Sequence, residues 1–122
     1  MPDQLDQVIE PPQPERLGGG FVFTAGQVAW DESGDIIGIG DVAAQTEQTL
    51  HNVLSVLAEG GASPADVLKC TVYLKNMADF QKMNDIFSRT FGETPPARTT
   101  VQAHLAEPAM LVEIEAIAFV GA

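Results

Sequence analysis

Arg98 is the residue whose type and setting most invite chemistry. It stands in TPPARTTVQ (Thr94–Gln102), in a chain with only six basic side chains against seventeen acidic ones. The Pro95-Pro96 pair restricts the backbone ahead of it, and β-branched residues follow it, so its guanidinium should be held in place and partly desolvated. A guanidinium offers a planar fork of donors that matches a carboxylate bidentately, whereas a lysine ammonium attracts the same anion without fixing its plane. Two uses fit: anchoring the carboxylate of a small ligand, or a structural ion pair with Glu113 or Glu115 of VEIEAIA. Other reactive types carry less. His51 on a helix and His104 in a loop have no motif around them. Cys70 reads as a small core residue, and Met77, Met83 and Met110 as core filling.

The elements that must position Arg98 can be read from periodicity. Residues 1–20 are rich in Pro, Gln and acid and reach Gly18-Gly19-Gly20 before any apolar run, which predicts an N-terminal arm. Phe21–Trp30 mixes aromatic and β-branched residues as a strand does. DESGD (Asp31–Asp35) supplies a turn before IIGIG resumes extended character, so a hairpin is expected there. From the N-cap candidate Asp41, apolar and small residues (Val42, Thr46, Leu50, Val53, Leu54, Leu57) recur at helical spacing until Gly60-Gly61, about five turns. Val67–Leu74 alternates as a strand. Phe80, Met83, Phe87 and Phe91 mark a second amphipathic helix that Gly92 ends and Pro95-Pro96 prevents from resuming. Thr99–Ala103 and Leu111–Val120 complete the order β-β-α-β-α-β-β.

That order predicts one domain over residues 1–122, an α+β sandwich with two helices on one face of a mixed sheet. In the last strand Val112, Ile114, Ala116 and Ala118 point one way, and Glu113, Glu115, Ile117 and Phe119 the other. A sheet that is partly apolar on both faces needs a second cover, and with two helices available another copy of the same sheet is expected, giving a closed homo-oligomer.

Composition narrows the function classes. The 122 residues, 45% hydrophobic with a weakly positive mean hydropathy, fit a globular core. No stretch reaches the roughly 18–20 apolar residues that span a bilayer, and the N-terminus lacks the charge pattern of a signal peptide, so a cytoplasmic protein is expected. The single cysteine excludes an internal disulfide, and no Cys/His spacing predicts a metal site. A formal net charge of −11 opposes binding to nucleic acid and to anionic membranes.

Taken together, TAGQV (Thr24–Val28), QTEQTLHNVLSVLAEGGAS, VLKCTVYLKNMADFQKMN, PPARTTVQ and VEIEAIA resemble the RidA (YjgF) family of enamine/imine deaminases over most of the chain. The resemblance implies a chorismate-mutase-like fold assembled as a homotrimer with active sites between subunits. It implies cofactor-free hydrolysis of reactive 2-imino acids, tautomers of enamines, to 2-oxo acids and ammonia. By the family's pattern Arg98 binds the substrate carboxylate and Glu113 acts near the water, while Asn84, Gln27 and Thr100 fall in matching segments as contacts to substrate. The chain also departs from the pattern. PPQPE replaces the usual PYSQA segment, with Pro12 where its tyrosine falls, Ala25 replaces the serine of SGQ, and Thr100 replaces a frequent cysteine. Two other readings remain beside the deaminase: a module that binds 2-oxo acids without turnover, and the ribonuclease or translation-inhibitor activity attributed to some relatives, which the net charge disfavours.

Overall fold

In the computed structural model, which describes residues 14–121, the chain first reverses at Gly19-Gly20. Their φ angles of 59° and 95° satisfy the demand of a two-residue type I′ turn for positive φ at both central positions. Strands β1 (Glu15–Gly18) and β2 (Phe21–Thr24) pair across it, Gly18 opposite Phe21. The edge strand β1 therefore lies within the segment expected to be an arm. The hairpin expected around Asp31–Asp35 shrinks to a single bridge between Trp30 and Ile36. The turn itself forms, with the Asp31 carboxylate accepting from Ser33 N (2.8 Å) and Asp35 N (3.1 Å). IIGIG cannot continue as a strand, because Gly38 and Gly40 take φ of 67° and 74°.

Helix α1 (Val42–Glu59) begins where the Asp41 side chain caps Ala44 N at 3.1 Å and ends in Gly60-Gly61, where Ala62 N returns to Leu57 O at 2.9 Å. Strand β3 (Val67–Leu74), helix α2 (Phe80–Phe91), strand β4 (Ala97–Gln102) and strand β5 (Val112–Phe119) follow. The sheet order is β1-β2-β5-β3-β4, with β3 and β4 parallel and every other pair antiparallel. This is the expected α+β architecture, with the same element order but a different first strand.

Both helices cover one face. Val22, Cys70, Val72, Leu74, Val112, Ile114, Ala116 and Ala118 of the sheet join Leu50, Val53 and Leu57 of α1 and Met83, Phe87 and Phe91 of α2 in one buried cluster. Each such large side chain taken out of water contributes about 1.5–3 kcal/mol. Among the described residues nothing covers the opposite face. Phe21, Phe23 and Phe119 are 39–43% exposed there, and the Phe21 and Phe119 rings meet at 4.9 Å between centroids.

A polar clasp locks the helical layer to the end of the chain. Gln45, wholly buried on α1, donates to Ala109 O (2.8 Å) and Gly38 O (3.3 Å) and accepts from Leu111 N (2.9 Å). One amide thereby satisfies backbone groups from two loops just before β5 and just before α1. No helix among the described residues is long and apolar enough to cross a membrane.

Candidate active site

The parallel pairing of β3 with β4 decides where Arg98 points. Cys70 lies beside Arg98 and Val72 beside Thr100, and since Cys70 and Val72 face the helices, so do Arg98 and Thr100. The guanidinium carbon lies over two rings of α2, 4.7 Å from the centroid of Phe87 and 5.4 Å from that of Phe80. Both distances are within the range of a cation–π contact. Gly92, at φ 59°, ends α2 and lets the chain turn into Pro95-Pro96, which delivers Arg98 to the sheet edge. A cleft of about 330 Å³ opens here, lined by Asn84, Phe87, Ser88, Pro95, Pro96 and Arg98.

Glu113 stands on the other face. The β5–β3 register puts it opposite Tyr73 and puts Glu115 opposite Thr71, on the side without helices. The ion pair of Arg98 with Glu113 or Glu115, one of the two uses open to it in the sequence, is thus excluded within the chain by the sheet lying between them. Glu115 is instead bonded by Tyr73, whose hydroxyl donates to Oε1 at 3.2 Å. Burial, and then the negative charge of Glu115, push the Glu113 carboxyl above its ordinary value. Burial, and then Glu115, also raise Tyr73.

A bulge makes room for the Glu113 carboxylate. Phe23 pairs with Ile117, but Gln27 pairs with Ile114, one residue out of step with the β2–β5 ladder. Ala25-Gly26 takes up the slip. Gly26 then passes so close to Glu113 Oε2 that a Cβ there would overlap it.

The remaining expected contacts separate into groups. Asn84 shares the cleft with Arg98. Thr100 lies on the same strand face as Arg98 but not in the cleft wall. Gln27 is buried, its backbone bonded both ways to Ile114 at 2.9 Å and its amide donating to Ala25 O at 3.3 Å, and it is not brought to Arg98. Pro12 lies outside the described residues. Cys70 is buried as expected, and burial pushes its thiol up to about 12, against the opposing pull of the Arg98 and Lys69 charges. His51 and His104 are exposed. The sequence reading missed Phe80 and Phe87 as neighbours of Arg98, having assigned them to the helix core alone. Their seven-residue spacing, two turns apart on the side of α2 that faces the strand after it, was the available signal.

One chain therefore presents a guanidinium at a cleft on one side of the sheet and a carboxylate of raised proton affinity on the other. The family model described as Endoribonuclease L-PSP matches residues 15–120. A RutC family protein of Pyrococcus abyssi is 46% identical over 102 residues, covering 83% of this chain and 80% of the relative. The 3-aminoacrylate deaminase RutC of Acinetobacter baylyi is 32% identical over 120 residues, 98% of this chain and 95% of that one. The structure of the YjgF gene product from E. coli superposes with a TM-score of 0.82 at 32% identity, over 92% of this chain and 90% of that one. On sequence and fold alike, the chain belongs to the Endoribonuclease L-PSP family, the RidA (YjgF) group of proteins.

Proposed function

We propose that this protein is a cofactor-free cytoplasmic deaminase of small 2-imino and enamine acids, acting as a homotrimer whose sites form between subunits. The observation that carries the reading is Arg98. In a chain of net charge −11, its guanidinium is held by aromatic rings, at the wall of an open cleft beside Asn84. A cation so placed fits the carboxylate of an amino-acid-like substrate. The similarity to a 3-aminoacrylate deaminase supports the reading, since that relative's substrate is itself an enamine acid.

Arg98 on edge strand β4 and Glu113 on the opposite face cannot meet in one chain. In the proposed trimer the β4 edge of one subunit therefore lies against that face of its neighbour, so that Arg98 of one subunit and Glu113 of the partner subunit line one cleft. There Arg98 holds the carboxylate of R–C(=NH)–COO⁻, and water adds to the imine carbon. Glu113 takes the proton that water loses and returns it to nitrogen, giving the carbinolamine R–C(OH)(NH₂)–COO⁻. It then takes the hydroxyl proton and passes it to the amine, so that the C–N bond breaks to leave R–CO–COO⁻ and NH₃. A carboxyl whose proton affinity is raised by burial is suited to both halves of that transfer.

A second reading, ligand binding without turnover, draws on Ala25. The segment that borders Glu113 supplies an apolar methyl where the family pattern places a hydroxyl. Cleavage of RNA is opposed by charge, since a trimer would carry a formal −33, three times −11. The deciding assay generates 2-iminopropanoate and 2-iminobutanoate in situ with a dehydratase and compares release of 2-oxo acid and ammonia with and without the protein. Acceleration is expected. Binding of 2-oxobutanoate with no acceleration leaves the second reading, and tight RNA binding that weakens steeply with salt overturns both.

A further inference from the structure

We infer that Phe80 and Phe87 are positioning residues for the anchor. They set the plane of the Arg98 guanidinium, and thereby the affinity and angle at which a carboxylate is held. The inference rests on the reading of Arg98 as a carboxylate anchor and goes beyond it, because it assigns the work of orientation to aromatic rings rather than to an acidic partner.

The geometry is specific. Arg98 reaches across from β4, and its guanidinium carbon sits over both rings, at 4.7 Å from Phe87 and 5.4 Å from Phe80. The two phenylalanines are seven residues apart, so they rise from one side of α2 two turns from each other. Asn84, four residues after Phe80 and three before Phe87, falls on the same side and lines the same cleft. Phe87 cannot drift. It is 3% exposed, and the Phe91 ring packs against it at 4.8 Å between centroids. The far end of the arginine is fixed as well, by a strand position that pairs with wholly buried Cys70.

The chemical consequence separates this arrangement from an ordinary buried arginine. A carboxylate partner would orient the guanidinium by occupying its N–H donors, which would then be unavailable to a ligand. Aromatic faces attract the cation through the ring quadrupole and accept no strong hydrogen bond, so they hold the group while leaving its donors to the cleft. Among the described residues, no carboxylate forms an ion pair with Arg98. A preoriented fork binds its anion with less ordering cost than a freely rotating one.

The test reads binding rather than turnover, so that it stands apart from the deaminase assignment. Calorimetry with 2-oxobutanoate is run on the wild type, Phe80→Leu, Phe80→Tyr, Phe87→Leu and Phe87→Tyr, with the thermal midpoint and mass of each variant recorded. Leucine keeps an apolar side chain and removes the ring, while tyrosine keeps the ring. The inference expects each leucine variant to weaken binding by about 2- to 30-fold, the range that loss of a cation–π contact allows, and each tyrosine variant to restore it to within a factor of about two. Where turnover is measurable, the leucine variants should raise KM more than they lower kcat. Phe80 is only half buried, so its leucine variant is the one least exposed to folding defects. A folded Phe80→Leu protein that binds 2-oxobutanoate like the wild type overturns the inference and leaves the anchor standing. Equal weakening in the leucine and tyrosine variants also overturns it, since that marks a packing role. Wild-type protein that does not bind 2-oxobutanoate at all removes the anchor and the inference together.

Discussion

The two faces of the sheet carry alternate residues of the same strands yet serve different ends. On the helical face, Val112, Ile114, Ala116 and Ala118 are at most 2% exposed and join one buried apolar cluster. On the other, Glu113 and Glu115 share the surface with Tyr73, Ile117 and a cluster of half-exposed phenylalanines. The first face is covered by the chain's own helices. Among the described residues nothing covers the second, which carries the groups that the proposed chemistry uses for proton transfer. The contrast teaches that folding and the proposed chemistry are separated by a single residue step along β5.

Neighbouring substitutions can break that comparison. Glu113→Gln keeps the shape of the side chain and should lower kcat by about 10²- to 10⁴-fold, the usual worth of acid–base assistance, with the fold intact by circular dichroism. Full activity in this variant would make Glu113 structural. One residue on, Ile114→Ala opens a cavity under the helices and should cost about 2–5 kcal/mol in urea unfolding. A cost near that of an exposed site would mean that the two faces are not separated as described. Arg98→Lys keeps the charge but loses the fork, and should weaken 2-oxobutanoate binding by about 10- to 150-fold, corresponding to about 1.5–3 kcal/mol for hydrogen bonds to a charged group.

Two subtler measurements sharpen the contrast. Light scattering on the wild type should give about 39 kDa, three times the chain's 13.0 kDa. Phe119→Asp, on the uncovered face, should shift the mass toward one chain while the helices persist. A wild-type mass of one chain would remove the intersubunit site. The smallest effect is in pH. A carboxyl whose proton affinity is raised on folding binds protons more tightly in the native state, so it opposes stability when ionised. Stability should therefore rise as pH falls from neutrality toward the ordinary carboxylate value of 4.5, through the raised native value. Glu113→Gln should flatten that slope, and an unchanged slope would assign it to other groups.

Much of this was legible in the sequence, and the exceptions have physical causes. Both helices and their stops could be read from apolar spacing and glycine. Strand β1 could not, because Glu15–Gly18 is a largely exposed edge strand with no apolar alternation to betray it. The Gly19-Gly20 pair was its one signal. IIGIG read as a strand because isoleucine favours extension, but the glycines between adopt positive φ and end it. Arg98 and Glu113 were identified as residues of interest, yet their separation by the sheet was not visible. Alternation within a strand fixes relative facing, while only the pairing of β4 to β3 and of β5 to β3 relates one strand's faces to another's. Gln45 escaped notice because a polar residue in an apolar stripe reads as an interruption, and two of its side chain's three bonding partners lie more than sixty residues away.

That glutamine also has a bearing on time. Leu111 N–H, held by the Gln45 side chain across 66 positions of sequence, can exchange with solvent only when α1 lifts from the segment that leads into β5. A contact of such sequence separation closes late, after local helix and hairpin formation, because the loop it closes is long. The clasp sits two residues before Glu113, so the strand bearing that carboxylate takes its final seat only once the first helix has docked. Its register is one of the last things the folding chain settles.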